Sequence, residues 1–341
     1  MDSLSQVVLG SAVTAAIVPA RHRRAALLAG AALGTAPDLD SLPIMLVTDN
    51  PITLMTMHRS VSHSLFVLPL AGWLIWWVFK RRGKRCAEAP ARWFWAIQLA
   101  LITHPLLDAF TAYGTQLLWP LRPPPVMWSS VFIIDPLYTV WLVAACVVAW
   151  LAPARRMAQR ALVAGLVVST AYLGWSLAAK QMVDRQATRD LAAFGLAEAP
   201  RFSVATPLNT LLWRVVAMTP QGYVIGDRSL VADTGPMEFT EYPSDTQALS
   251  AVRGSDAVKQ LMWFNRGFVR VQVVDDALVV SDLRLGQEPD YVFSFVVAER
   301  TGETWRPVPP RQLRNAYRLP TPDGGVSKAL ADTWRRIWQV N

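Results

Sequence analysis

Roughly six apolar stretches, at about 4–20, 24–37, 61–79, 91–107, 132–152 and 160–179, fill the first half of the chain and decide what it can fold into. A helix needs ~20 apolar residues to cross a hydrocarbon core, so this half reads as a polytopic α-helical membrane domain. The second stretch is short. It either spans in part or sits as a re-entrant helix shielded by its neighbours, because lipid-exposed broken backbone is not tolerated. The N-terminus has neither a basic lead nor a small-residue cleavage site, and its apolar stretch reads as a retained span rather than a signal peptide.

Basic residues alternate between the connections. Arg21, Arg23 and Arg24, then Lys80, Arg81, Arg82, Lys84 and Arg85, then Arg155, Arg156 and Arg160 mark three cytoplasmic connections by the positive-inside rule. The other two, residues 37–60 and 108–131, carry only Arg59 and Arg122 and are expected to face outward, with everything after the last span. The charge balance agrees: residues 1–180 hold 15 Lys+Arg against 7 Asp+Glu, and residues 181–341 hold 18 against 18. The excess of positive charge is therefore a topology signal and not a nucleic-acid-binding face. With 52% hydrophobic and 17% charged residues, the 341-residue chain is too apolar for an ordinary soluble enzyme. Two cysteines, Cys86 and Cys146, offer no disulfide framework or thiolate zinc site.

From residue 181 the pattern changes. VDRQATRDLAAF is a polar helix, and LLWRVVAM, GFVRVQVV, ALVVSDLRL and YVFSFVVAE are β-type runs. Asp275 and Asp276 between two of these mark a hairpin turn. A final helix over roughly 326–339 carries Leu330, Trp334, Ile337 and Trp338 at helical spacing. The expected organisation is a membrane domain over residues 1–180 and a small extracytoplasmic α+β domain over 181–341. The aromatic residues of the latter, including Trp213, Trp263, Phe264 and Tyr291, are expected in its core. This domain is expected to act as a lid, a specificity element or a platform for a protein partner.

Sorting the ionisable residues by side of the membrane isolates a constellation. Of four histidines, His58, His63 and His104 fall at the outer ends of apolar stretches, as do Asp38, Asp40, Asp108 and Asp135. In HPLLD, His104 and Asp108 stand at i and i+4 on one helix face, which suits two ligands of one metal. HRSVSH supplies His58 and His63, and PDLD supplies Asp38 and Asp40, although PDLD also reads as a plain helix stop. Asp135 reads equally as the N-cap of its span, followed by Pro136. Ionisable groups at membrane depth cost a few kcal/mol each and persist where they pair, coordinate or react. Three imidazoles and several carboxylates without thiolate suit a divalent Zn, Mn or Fe ion, and there are donors enough for two.

The segments MDSLSQ, APDLDSL, MHRSVSHS and HPLLDAFTAYGTQLLWP resemble the YdjM-like membrane-bound metal-dependent hydrolases over roughly the first 140 residues. Further on, ATPLNTLLWRV and LVVSDLRLGQEPDYVFSF resemble the soluble domain of that family's longer members. The resemblance implies that Asp38, Asp40, His58, His63, His104 and Asp108 are metal-site residues, with Asp38 and Asp40 in catalysis. Where shorter members carry a histidine near the N-terminus, this chain has Gln6. That amide either orients a water or a ligand, or bonds a neighbouring helix.

The expected function is hydrolysis of an amphiphilic lipid or envelope substrate at the outer leaflet of a bacterial-type inner membrane. No PSGH signature occurs, which argues against a phosphohistidine mechanism. Two other classes stay open: a metal-binding transport or assembly factor, and a scaffold with a structural metal. Transport favours groups near the bilayer midplane, whereas these cluster at one end.

Overall fold

The computed structural model describes residues 1–313 and 325–340. The N-terminal half is helical: α1 (Ser3–Ile17), α2 (Arg23–Thr35), α3 (Ser41–Val47), α4 (Pro51–Met57), α5 (Val67–Arg82), α6 (Lys84–Glu88), α7 (Pro90–Ala109), α8 (Pro136–Leu151) and α9 (Arg156–Ala193). Three short 3₁₀ turns, Ala20–His22, Ala36–Asp40 and Val61–His63, interrupt this series. The rest is sheet-rich, as expected of an α+β domain. By contacts the chain forms two compact units. The first comprises Met1–Leu46, Met57–Trp128 and Ile133–Ser176, and the second Val47–Thr56, Ser129–Phe132 and Leu177–Asn341.

Among the described residues one helix, α9, is by itself long and apolar enough to cross a membrane. The broken pair Pro51–His63 and Val67–Arg82 passes the same test taken together, while α1 and α8 are apolar but shorter. The sequence expectation of about six apolar segments, one of them short, thus meets one clear span among the described residues. Prolines set some of these lengths: Pro19 follows the end of α1 and Pro37 lies in the turn after α2, which runs for only 13 residues.

In the first unit, α1 and α2 pack backbone against backbone. A Cβ on Gly10 would stand 2.3 Å from the Gly30 carbonyl oxygen, and one on Gly34 would stand 2.4 Å from that of Gln6. Small residues allow this approach, and hydroxyls exploit it: Ser11 donates to Leu27 O at 2.8 Å and Thr14 to Ala26 O at 2.6 Å. The consequence is positional, because Gln6 and Gly34 are both brought to α7. Near the start of α1, Asp135 caps α8 through the amides of Leu137 and Tyr138, and also accepts from the Tyr172 hydroxyl at 2.8 Å.

The second unit contains two antiparallel four-stranded sheets. One is ordered β1 (Arg201–Ala205), β2 (Leu212–Thr219), β3 (Gly222–Ser229), β4 (Thr240–Pro243). Two helices, α10 (Thr246–Val252) and α11 (Asp256–Phe264), lead to the strands β5 (Val269–Val274) and β6 (Ala277–Asp282). After the two-residue strands β7 (Gly286–Gln287) and β8 (Asp290–Tyr291) come β9 (Ser294–Thr301) and β10 (Thr304–Gln312), and the second sheet runs β10-β9-β6-β5. The expected hairpin is present: Asp275 and Asp276 both take positive φ, 48° and 60°, as a two-residue turn between right-twisted strands requires.

Ala179, Val183 and Ala187 on α9 pack with Ala205, Trp213, Val215 and Met237. Trp213, Phe264 and Tyr291 are buried as expected, and Trp263 is half-buried. The last helix, α12 (Gly325–Trp338), buries Ile337 but leaves Leu330, Trp334 and Trp338 exposed.

Candidate metal centre

Four side chains from three parts of the first unit meet at one point. Asp38 comes from the turn that follows α2, His63 from the turn that precedes α5, and His104 and Asp108 from successive turns at the end of α7. One ligand atom from each lies within 4.8 Å of all the others. His63 Nε2 is 3.1 Å from His104 Nε2, 3.1 Å from Asp108 Oδ2 and 3.4 Å from Asp38 Oδ1. His104 Nε2 is 3.4 Å from Asp38 Oδ1 and 3.5 Å from Asp108 Oδ2. A tetrahedral ion with bonds of ~2.0–2.1 Å sets its ligand atoms about 3.4 Å apart, close to the five separations given above, and all four atoms lie within 4.8 Å of one another. The site is closed on three sides: His63, His104 and Asp108 have no exposed side-chain surface, whereas Asp38 is 27% exposed.

Hydrogen bonds outside the cluster orient the two imidazoles. His104 Nδ1 is 2.6 Å from the Gly34 carbonyl oxygen. A carbonyl only accepts, so Nδ1 carries a proton and Nε2 is the ring atom turned to the cluster. His63 Nδ1 is 2.9 Å from Ser62 Oγ, whose own proton goes to Asp40 Oδ2 at 2.5 Å. This relay assigns the His63 proton to Nδ1 as well. Two imidazole Nε2 atoms and two carboxylate oxygens therefore face one another, and Asp38 Oδ1 is buried without a hydrogen-bond partner. Such an arrangement is repulsive unless a cation or a proton lies among the four atoms.

Asp40 does not face this point. Its Oδ1 is 2.7 Å from His58 Nδ1, and its Oδ2 accepts from the Arg59 amide at 3.1 Å and from Ser62. With both oxygens engaged, Asp40 holds His58 directly and His63 through Ser62. His58 Nε2 then points back toward Asp38 Oδ1, at 3.9 Å, and the ring is 24% exposed. Burial works to raise the Asp40 carboxyl, but hydrogen bonds from His58 and Ser62 hold it below the ordinary carboxylate range.

Asp108 is enclosed by donors. Gln6 Nε2 donates to its Oδ1 at 3.0 Å and to the His104 carbonyl at 3.2 Å, the Met1 amino nitrogen lies 2.5 Å from Oδ1, and Arg59 Nε lies 3.1 Å from Oδ2. Gln6 therefore takes the orienting role, touching two residues of the cluster. Asp135, the remaining sequence candidate, is not among the four and serves α8 as its cap. The fourth histidine, His22, is bonded to Glu88 and Trp93 and takes no part.

Two participants were not singled out in the sequence. Arg59 read as a stray topology charge, yet it is buried, forms an ion pair with Asp108, places its guanidinium 4.8 Å from the Tyr113 ring and holds a positive φ of 62°. Its signal was its place inside MHRSVSHS, between two candidate histidines. Ser62 lies in the same motif.

Residues 1–183 match the family model for the YdjM inner membrane protein. The chain belongs to the YdjM family. The match covers just over half of the 341 residues and contains every residue of the cluster. It makes this a membrane protein of an inner-membrane family. No curated protein and no solved structure matches the chain.

Proposed function

We propose that this YdjM-family protein is a multi-pass membrane hydrolase that holds a divalent Zn, Mn or Fe ion and acts on an amphiphilic substrate at the outer leaflet. The observation that carries the reading is the convergence of four electron-pair donors, Asp38, His63, His104 and Asp108, at tetrahedral spacing with both histidine tautomers fixed from outside. The mixed nitrogen and oxygen set suits those ions. In that position a divalent ion supplies acidification of a water and polarisation of the bond under attack.

The protein's own contribution to proton transfer is the His58–Asp40 pair. Asp40 accepts a hydrogen bond from Nδ1–H of His58, which leaves Nε2 at the more exposed edge of the site, beside Asp38. From there the imidazole removes a proton from a nucleophilic water and returns it to a leaving group, while the carboxylate stabilises the imidazolium formed in between. Arg59 and Gln6 keep Asp108 in place. Four protein ligands also fit a structural ion with a closed shell. The acid–base pair at the open edge favours turnover, since a purely structural ion has no use for it.

Purified protein in nanodiscs, incubated with a total envelope lipid extract and Mn²⁺ or Zn²⁺, is expected to deplete one lipid class, read by mass spectrometry. Metal uptake without loss of any species would replace the hydrolase reading with the scaffold or transport reading.

The outward orientation is part of the proposal. Pieces of both weakly charged connections, Val47–Thr56 and Ser129–Phe132, are built into the same compact unit as the residues after α9. Ser129 donates to the Ser203 carbonyl at 2.7 Å, and Gln260 bonds Thr56. This supports a tail on the same side as those connections, opposite the basic ones. Single cysteines at Gly83 and Gly254, in a chain with Cys86 and Cys146 replaced by serine, test the assignment in intact cells. An impermeant maleimide is expected to label Gly254→Cys and to spare Gly83→Cys; the reverse pattern would place the site at the cytoplasmic leaflet.

A further inference from the structure

The helix α3, Ser41–Val47, begins at the residue after Asp40 and buries none of its seven residues. Leu42, Met45, Leu46 and Val47 are 62%, 65%, 89% and 80% exposed, and Leu39 just ahead of them is exposed too. Residues 41–48 contain no charged side chain, while Asp49 immediately beyond is exposed. A solvated helix in a chain with this many charges would not be so composed, and an apolar helix in water is a large penalty with nothing set against it.

The distribution of exposure decides what covers α3. At 100° per residue, Leu42, Pro43, Met45, Leu46 and Val47 spread over an arc of about 200°. A protein groove takes one stripe of a helix, whereas lipid surrounds it. The surface is also continuous in kind with α5, where Leu70, Trp73, Leu74 and Phe79 are exposed on a helix of the membrane half. In length α3 rises ~10 Å, against ~15 Å for half of a hydrocarbon core, so it enters one leaflet without crossing it. Its polar flanks fit an entry and an exit at headgroup level, with Asp38 and Asp40 before it and Thr48, Asp49 and Asn50 after it.

We propose that α3 is immersed in the outer leaflet as a lipid-facing element joined directly to the metal-site turn. Bilayer hydrocarbon is its partner, and amphiphiles reach the site laterally along Leu42, Met45 and Leu46, with their polar ends at Asp38 and His58. Immersion stands independently of any reaction at the site; the lateral route rests on the hydrolase reading.

The test uses full-length protein with Cys86 and Cys146 replaced by serine and a nitroxide attached in turn to Leu42→Cys, Met45→Cys, Leu46→Cys and Asp49→Cys. In nanodiscs of phosphatidylethanolamine and phosphatidylglycerol, relaxation by oxygen is expected to exceed relaxation by a water-soluble nickel chelate at positions 42, 45 and 46. The ratio is expected to invert at position 49. Nickel dominance at position 46 would put α3 in water, and shielding from both reagents would put a protein surface over it; either result overturns the proposal. Should a labelled variant misfold, benzoylphenylalanine introduced at Leu46 gives a second reading. Photolysis is expected to yield lipid adducts, and protein–protein crosslinks in their place would refute immersion. None of these readouts involves turnover, so an inactive protein leaves the result intact.

Discussion

Replacing His104 by alanine is expected to lower divalent-metal affinity by at least ~100-fold, and to leave the protein in the membrane. Changes to residues that merely orient a ligand cost ~10–100-fold, and His104 lies among the four converging donors themselves. The substitution also strands the Gly34 carbonyl, which loses its donor inside the α1–α2–α7 contact, so some loss of thermal stability should accompany it. Metal content by mass spectrometry of detergent-purified protein separates the two effects. Asp108→Asn is expected to lose metal as well, because it removes a charge from the set. Asp135→Asn supplies the contrast: it keeps an oxygen for the cap of α8, weakens the acceptor of the Tyr172 hydroxyl, and is expected to retain metal in full. Full metal content in both His104→Ala and Asp108→Asn would remove the cluster from coordination. Loss of metal in Asp135→Asn would mean that coordination follows stability rather than ligand identity.

How far this site was legible depends on where its residues sit in the backbone. His104 and Asp108 are one turn apart on a single helix, and that juxtaposition follows from helical geometry alone. Asp38 and Asp40 are two residues apart in a 3₁₀ turn, and spacing gave no reason to assign them different tasks. The structure does so: Asp38 faces the cluster with an unbonded oxygen, and Asp40 turns both oxygens to His58, Ser62 and the Arg59 amide. Those partners lie about twenty residues away in the chain, beyond any periodicity.

Arg59 was misjudged for a related reason, since a lone arginine in an outer connection looks the same whether solvated or buried against Asp108. In the fold, alternation and the Asp275–Asp276 turn exposed the strands, because those signals are local. The lengths of the N-terminal helices were less visible. A hydropathy run does not register that Pro19 follows the end of α1 or that Asp38 to Asp40 leave the helical axis in a tighter turn.

Substituting either member of the His58–Asp40 pair is expected to lower turnover by ~100-fold or more, about 2.7 kcal/mol in the transition state, without loss of metal. His58→Gln keeps a polar side chain at the edge of the site but cannot carry a proton through the pH range where imidazole works. Asp40→Asn keeps its shape and an oxygen for His58 Nδ1, yet removes the charge that stabilises the imidazolium. The two residues form one hydrogen-bonded unit, with 2.7 Å between Nδ1 and Oδ1, so the double variant should be little slower than the worse single one. That non-additivity separates an acid–base pair from two independent ligands, whose losses would multiply and would take metal with them. Metal content therefore has to be measured beside turnover of the depleted lipid class. If His58→Gln loses its metal, His58 is a ligand and the centre extends beyond four donors toward a second ion. If it keeps both metal and full turnover, the proton is handled elsewhere, and the bond that Asp40 makes to His58 serves only to hold the outer connection against the cluster.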